Sequence, residues 1–451
     1  MDRAEKQTNA GLGSQLTRVW RLSVPAILTQ ITSIVMQYID SAMVGRLGPG
    51  ASAAIGLVSS STWLMSGFIY GVSAGFSVQV AHQIGAGEEA EARRVVKHGI
   101  VAGLILSTLL MCIGALISGP LPRWLGGERD LWKDASAYFM VFALTFPFMQ
   151  MNSLASCCLQ CSGNMVTPSV LNAIMCALDV VFNAIFIPRF GVLGAGIGTG
   201  LATAVISLAM LWCCCIRSEA LRLTRREPCP LDREILRRAV KIGTPVAGQE
   251  LAMCGAMVAS TRIIAPLGTA AIAANSFAVT AESLCYMPGY GIGTAATTLI
   301  GQSIGAGRKD MTRRLGWLTT GLGMAVMAGS GVLLYAFAPY MIGILSPDEA
   351  IRALGTKVLR IEAFAEPMYA ASIVASGVFR GAGDTLIPSC MNFFSMWAVR
   401  IPLGAFLAPR FGLEGVWVAM CLELCVRGIL FLFRLAGKRW YQGAEGKRKG
   451  A

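Results

Sequence analysis

The side chains able to do chemistry in this 451-residue chain are the few polar ones that interrupt its long apolar stretches. An ionisable group costs at least ~2.5 kcal/mol at the centre of a bilayer, so each is a candidate for binding rather than for packing. Asp40 stands near the end of the first stretch, in Gln37-Tyr38-Ile39-Asp40-Ser41-Ala42-Met43-Val44-Gly45. Asn172, Asp179 and Asn183 interrupt a later one at spacings of seven and four, which puts all three on one helical face. Thr199 and Thr203 repeat the four-residue spacing in the next stretch and add hydroxyl oxygens. Carboxylate, amide and hydroxyl together offer the several oxygens that a hard cation such as Na+ takes, and the same carboxylates could carry protons instead. Composition does not choose between the two ions.

The second half of the chain has its own acids: Glu250, Glu282, Glu362, Glu366, Glu414 and Glu423, with Arg400 and Arg427 as internal partners. Glu282 precedes Pro288 by six residues, and Glu366 directly precedes Pro367, a residue able to kink a helix. Acids facing a cavity attract organic cations, and Tyr286, Tyr290, Tyr369, Met36, Met257 and Met287 could supply adaptable apolar and cation-π walls. The simpler role for these Met and Tyr residues is helix packing.

Elements that could position these groups follow from composition. With 55% hydrophobic and 14% charged residues, the chain is far from the soluble norm of about 25% charged. Stretches long enough to cross the ~30 Å hydrocarbon core read at about 22–45, 52–80, 96–118, 135–156, 166–188, 192–216, 240–265, 270–300, 315–337, 354–377, 386–408 and 413–434. The expected fold is therefore all-α and integral to the membrane, with twelve spans. Counting Lys and Arg on alternate sides gives 26 against 9, which places both termini in the cytoplasm and accounts for the net charge of +13 without nucleic acid. Met1–Arg21 is polar and has no apolar core, so it does not read as a cleavable signal peptide.

The two halves are diverged copies. Ile84-Gly85-Ala86-Gly87 recurs as Ile304-Gly305-Ala306-Gly307, and the same 220-residue offset pairs Pro25 with Pro245, Leu47-Gly48 with Leu267-Gly268, Pro147 with Pro367 and Pro168-Ser169 with Pro388-Ser389. One inserted residue later, Pro188-Arg189-Phe190-Gly191 returns as Pro409-Arg410-Phe411-Gly412. Six spans per copy is an even number, so the copies are parallel repeats, an arrangement that suggests a transporter. The expected organisation is a cytoplasmic tail (1–18), a first lobe (19–216), a cytoplasmic linker (217–238) containing Pro228-Cys229-Pro230, a second lobe (239–438) and a basic tail (439–451). Asp40 is matched by Ser260, Asp179 by Val399 and Gln30 by Glu250, so the copies have divided their chemistry.

Several classes are excluded. The fourteen cysteines follow no disulfide or zinc pattern, and His82 and His98 have no partners in sequence that would make a metal site. No nucleophile, Walker or dinucleotide motif occurs, so the chain does not read as an enzyme, needs no cofactor, and must draw on an ion gradient.

From about Trp20 to Arg439 the chain resembles the multidrug and toxic compound extrusion (MATE) family, bacterial type. The resemblance rests on Pro25 with Asp40-Ser41-Ala42-Met43-Val44-Gly45, the twin Ile-Gly-Ala-Gly loops, Glu282-Ser283 with Met287-Pro288-Gly289, Arg380-Gly381-Ala382-Gly383-Asp384-Thr385 and Arg400-Ile401-Pro402-Leu403. It implies two pseudo-symmetric six-helix lobes in a V, and export of drugs coupled to Na+ or H+ entry. It also implies a cation site at Asp40, Asp179, Asn183 and Thr199, which would hold Na+ if coupling is to sodium. Many relatives have Asn followed by Asp on the fifth span where this chain has Asp179 followed by Asn183, so the carboxylate has moved by one turn. Glu250 is the nearest counterpart of an acid that other branches carry early in the seventh span.

The expected substrate cavity comprises Gln37, Tyr38, Asn172, Glu250, Glu282, Tyr286, Glu366 and Tyr369. Expected partners are small molecules, chiefly organic cations, and the lipid of the plasma (inner) membrane, with the protein a monomer. Two other readings are a dedicated exporter of one endogenous metabolite and a lipid-linked oligosaccharide flippase. A basic cavity would favour the flippase, and the intramembrane charge here is mainly acidic.

Overall fold

Hydropathy this high forces every backbone polar group to be satisfied within its own segment, and the chain answers with helices. In this computed structural model residues 12–223, 232–346 and 348–442 are described. The expected N-terminal tail up to Gly11, the linker residues Pro228-Cys229-Pro230 and the tail from 443 onward lie outside them.

The main helices are α1 (Leu12–Gly45), α2 (Pro49–Ala86), α3 (Glu89–Ile117), α4 (Trp132–Leu144), α5 (Phe146–Cys161), α6 (Val166–Phe190), α7 (Val192–Trp212), α8 (Arg233–Ile264), α9 (Thr269–Gly305), α10 (Lys309–Leu345), α11 (Glu349–Glu362), α12 (Glu366–Gly381), α13 (Leu386–Phe394) and α14 (Ile401–Ala436). By length and composition eight segments can each cross a membrane, and the bent pair Arg129–Leu144 and Phe146–Cys161 adds a ninth. Leu386–Ala436 holds two spans that reverse at Gly412, whose φ of 61° is outside the helical range. The remaining two, α9 and the α11–α12 pair, carry buried glutamates and are correspondingly less apolar. Among the described residues, helices cover each of the twelve spans expected from sequence, and several continue beyond the apolar stretch as charged turns.

The duplication is written into the backbone as well as the sequence. Positive-φ glycines fall in pairs at Gly48 and Gly268, Gly87 and Gly307, Gly163 and Gly383, and Gly191 and Gly412. Gly191 and Gly412 show the cause. Each ends a span after the repeated Pro-Arg-Phe with φ near 60° and ψ of −131° and −142°, a region only glycine occupies freely. Bends also recur in register. Helix α4 gives way to α5 beside Pro147, and α11 to α12 beside Pro367, because proline offers no N–H to the preceding turn and its ring crowds the carbonyl four residues back.

The described residues form two compact units, the first Ile31–Cys254, the second those up to Gln30 together with those from Gly255 onward. Each boundary falls inside a helix. Val19 of α1 is fully buried with Ile292 and Leu299 of α9, and Gly291 leaves room for Ile27. In the other unit Ile235 and Ala239 of α8 join a core with Phe76, Val80 and Leu154, where Gly75 accepts the close approach of the Ala239 backbone. The core of the second unit also depends on small residues: Gly377 and Gly381 of α12 lie directly against the α9 backbone at Gly293 and Thr297.

That contact yields a stability prediction. Gly377→Val should cost about 1–3 kcal/mol by overpacking the α9–α12 seam. Gly321→Val, where a side chain meets open space, should change stability by less than about 0.5 kcal/mol. Thermal unfolding of the purified variants in detergent checks both; equal melting temperatures would contradict the seam.

Candidate functional site

The unit Ile31–Cys254 places three sequence-predicted residues in contact. Asp179 and Asn183, one turn apart on α6, are both completely buried. Asn183 Nδ2 donates to Asp40 Oδ1 at 2.8 Å and to Asp179 Oδ2 at 3.2 Å, so one amide bridges two carboxyl groups from α1 and α6. Donation to two acceptors fixes which end of the amide faces them. Asp179 Oδ1 and Asn183 Oδ1 are buried with no hydrogen-bond partner, two acceptors suited to a bound cation or proton-bearing group. Gly198 of α7 makes this geometry possible, because a Cβ there would collide with Asn183 Oδ1. Tyr138 of α4 packs on Gly196 and lies within electrostatic reach of Asp40 and Asp179.

A second polar cluster lies in the other unit. Glu423 and Arg427, one turn apart on α14, form a buried bidentate ion pair at 2.8 and 2.7 Å, and Ser395 Oγ donates to Glu423 at 2.5 Å. Ser395 begins a π-helical turn, Ser395–Arg400, which re-aims the span between α13 and α14. Arg427 sits 5.8 Å from the ring centroid of Tyr369, whose own ring meets Tyr286 edge-on at 5.6 Å. Glu362 and Glu366, at the α11–α12 break, are completely buried, and none of their four carboxyl oxygens has a hydrogen-bond partner. Glu282 of α9 is buried within electrostatic reach of both and of Arg400.

Comparison with known proteins agrees with this architecture. The chain matches the MatE family over residues 25–185 and 245–406, one match in each repeat. It belongs to the MatE family. A probable multidrug resistance protein NorM from Thermotoga maritima is 24% identical over 430 residues, covering 93% of this chain and 92% of that one. Multidrug resistance protein NorM from Burkholderia vietnamiensis is 28% identical, with 92% of each covered. A Vibrio cholerae MATE transporter has the same fold, with a TM-score of 0.89 at 19% identity over 96% of this chain and 97% of that one.

Not every residue expected to act in this MatE protein joins a cluster. Thr199 follows Gly198 beside Asn183, and its recorded hydrogen bond is made by its carbonyl oxygen, which accepts from Thr203 Oγ1 at 2.8 Å. Asn172 is half-buried two turns from Asp179, with no recorded bond to the cluster. Gln37 is exposed and Tyr38 half-buried on α1. Glu250 packs its stem on Gly67 of α2 within the unit Ile31–Cys254, and Glu282, Tyr286, Glu366 and Tyr369 belong to the other unit. Among the described residues, no three or more His, Cys, Asp or Glu converge in a way that could hold a metal ion.

The residues that sequence reasoning undervalued were Tyr138, Ser395, Glu362, Glu423 and Arg427. For three of them a signal existed: Glu423 precedes Arg427 by four in an apolar run, and Glu362 precedes Glu366 by four. No pattern marked Tyr138 or Ser395, which reach their sites only through tertiary packing. Because Glu423 and Arg427 satisfy one another away from water, Arg427→Leu alone should destabilise the protein by about 3–5 kcal/mol, whereas Glu423→Leu with Arg427→Leu should recover much of that loss. Thermal unfolding of the single and double variants is the check.

Proposed function

We propose that this MatE protein is a secondary antiporter that exports amphipathic, mostly cationic small molecules in exchange for Na+ or H+ entry. It works as a monomer in the plasma (inner) membrane with both termini cytoplasmic. The observation that carries the reading is the bridged pair Asp40 and Asp179, with the buried acceptors Asp179 Oδ1 and Asn183 Oδ1 left without partners. The drug-resistance names of the relatives support the substrate class. The buried glutamates and the Tyr286–Tyr369 wall of the other unit support a preference for cations.

In this reading Asn183 holds the two carboxyl groups in place while the exchangeable ion is taken up and released beside them. Gly198 keeps the amide from being pushed aside. One monovalent cation moving through ~100 mV contributes about 2.3 kcal/mol. A tenfold concentration gradient adds about 1.4 kcal/mol. One ion could therefore sustain a gradient of several hundredfold for a neutral substrate. A monovalent cationic substrate leaving for one entering ion moves no net charge, and only the chemical gradient drives it.

Two outcomes follow. Asp40→Asn keeps the shape and the hydrogen bond but cannot exchange a proton, and it weakens cation attraction; it should abolish gradient-driven export while leaving the melting temperature close to that of the parent. Proteoliposomes given Na+ and pH gradients in turn measure this and identify the ion, and parental export by Asp40→Asn would remove the site. Glu282→Gln and Glu366→Gln should lose preference for a cationic over a neutral dye while ion binding in the other unit is unchanged. Loss of ion binding in either variant would contradict that separation.

A further inference from the structure

The second unit carries an open groove of about 360 Å³ on its apolar outer surface, within the size range of small-molecule sites. It lies between α10, α11 and α14 and is lined by Tyr335, Arg360, Phe364, Val418 and Leu422. Its surroundings are lipid-facing in character: Val332, Leu333, Phe337, Phe364 and Leu422 are all exposed large hydrophobics. An arginine in such a place needs a reason, since a lone cation facing hydrocarbon is costly.

Arg360 is only partly accommodated by the protein. Its Nε donates to the Tyr335 carbonyl at 3.3 Å, and its guanidinium lies 5.1 Å from the Tyr335 ring centroid. Among the described residues no acid pairs with it. Glu414 is engaged by Lys357 at 3.1 Å, and Glu362, two residues along α11, is completely buried. Lys357 is well exposed and stands one turn before Arg360 on the same helical face, about 4.5 Å along the axis. An exposed Lys357–Glu414 pair suits the polar edge of a bilayer, and on that placement Arg360, one turn deeper, falls near the level where phosphates meet acyl chains.

We propose that this groove binds an acidic phospholipid, with the Arg360 guanidinium on the phosphodiester and an acyl chain along Phe364, Val418 and Leu422. Charge complementarity selects the head group, and the apolar lining selects a lipid over a free anion. An arginine suits the task because its planar fork of donors matches a phosphate while one N–H stays on the Tyr335 carbonyl. The site does not rest on the transport reading, and its Arg360 makes no ion pair with the buried glutamates among the described residues. With the termini cytoplasmic, as proposed above, it faces the outer leaflet.

The test uses the purified full-length protein, delipidated and titrated with phosphatidylglycerol or phosphatidylcholine, with bound lipid counted by native mass spectrometry. The parent should retain one phosphatidylglycerol in preference to phosphatidylcholine. Arg360→Leu should reduce that preference about fivefold, the equivalent of ~1 kcal/mol for one basic group at a membrane surface. Arg360→Lys should keep part of it, and Arg189→Leu, in the other unit, should keep all of it. Arg360→Gln replaces Arg360→Leu if the latter does not fold. Inorganic phosphate should not displace the lipid. The proposal is overturned if the parent shows no preference, if removing the Arg360 charge leaves the preference intact, or if phosphate competes.

Discussion

A buried amide shared by two carboxyl groups is the interaction that organises the polar residues of the Ile31–Cys254 unit. Asn183 cannot leave Asp40 and Asp179 without removing a hydrogen bond from each carboxyl group, and a buried acceptor left unpaired costs about 1–3 kcal/mol. Its position in turn requires Gly198 and the tight turn at Gly191, which returns α7 alongside α6. Two glycines just after α6 thus serve one contact between residues 143 positions apart, Asp40 and Asn183.

The two repeats share a frame and differ in what they put in it. At the bend before the repeated proline, the Ile31–Cys254 unit has Phe142 and Phe146, whose rings meet edge-on at 5.2 Å; 220 positions later the same places hold Glu362 and Glu366. Asp179 faces the reverse exchange, with Val399 at the matching position. The backbone solution, a proline-marked break and a positive-φ glycine, is indifferent to these swaps because it depends on Pro147, Pro367, Gly191 and Gly412 rather than on the side chains between. Fold and chemistry could therefore diverge separately after duplication.

How much was legible in the sequence follows from the same distinction. Spans and turns were readable because hydropathy, proline and positive-φ glycine act locally. The trio Asp40, Asp179 and Asn183 was readable because polar residues are rare in apolar runs and the helical period aligns two of them. Glu423 with Arg427 had an i,i+4 signature but was passed over in favour of acids beside prolines. Tyr138 had no local signal, since its place beside the acids is set by Gly196 of another helix. Glu250 belongs to the second half of the sequence, and its side chain packs on Gly67 of the unit that contains α2. Nothing in a helix's own sequence says at which residue its packing partners change.

Satisfaction also separates the acids of the second unit by role. Glu423 has an ion-pair partner on both oxygens and a hydroxyl besides, so its charge is neutralised locally and removing it would leave Arg427 stranded. That is the profile of a structural pair, which holds the π-helical turn against α14. Glu362 and Glu366 have no hydrogen-bond partner on any oxygen and are as deeply buried. Packing alone does not account for them, since the first repeat fills the equivalent space with two phenylalanines and folds in the same way. In the function proposed above, this pair of carboxyl groups serves binding, and the rings of Tyr286 and Tyr369 in the same unit supply an apolar wall suited to an organic cation.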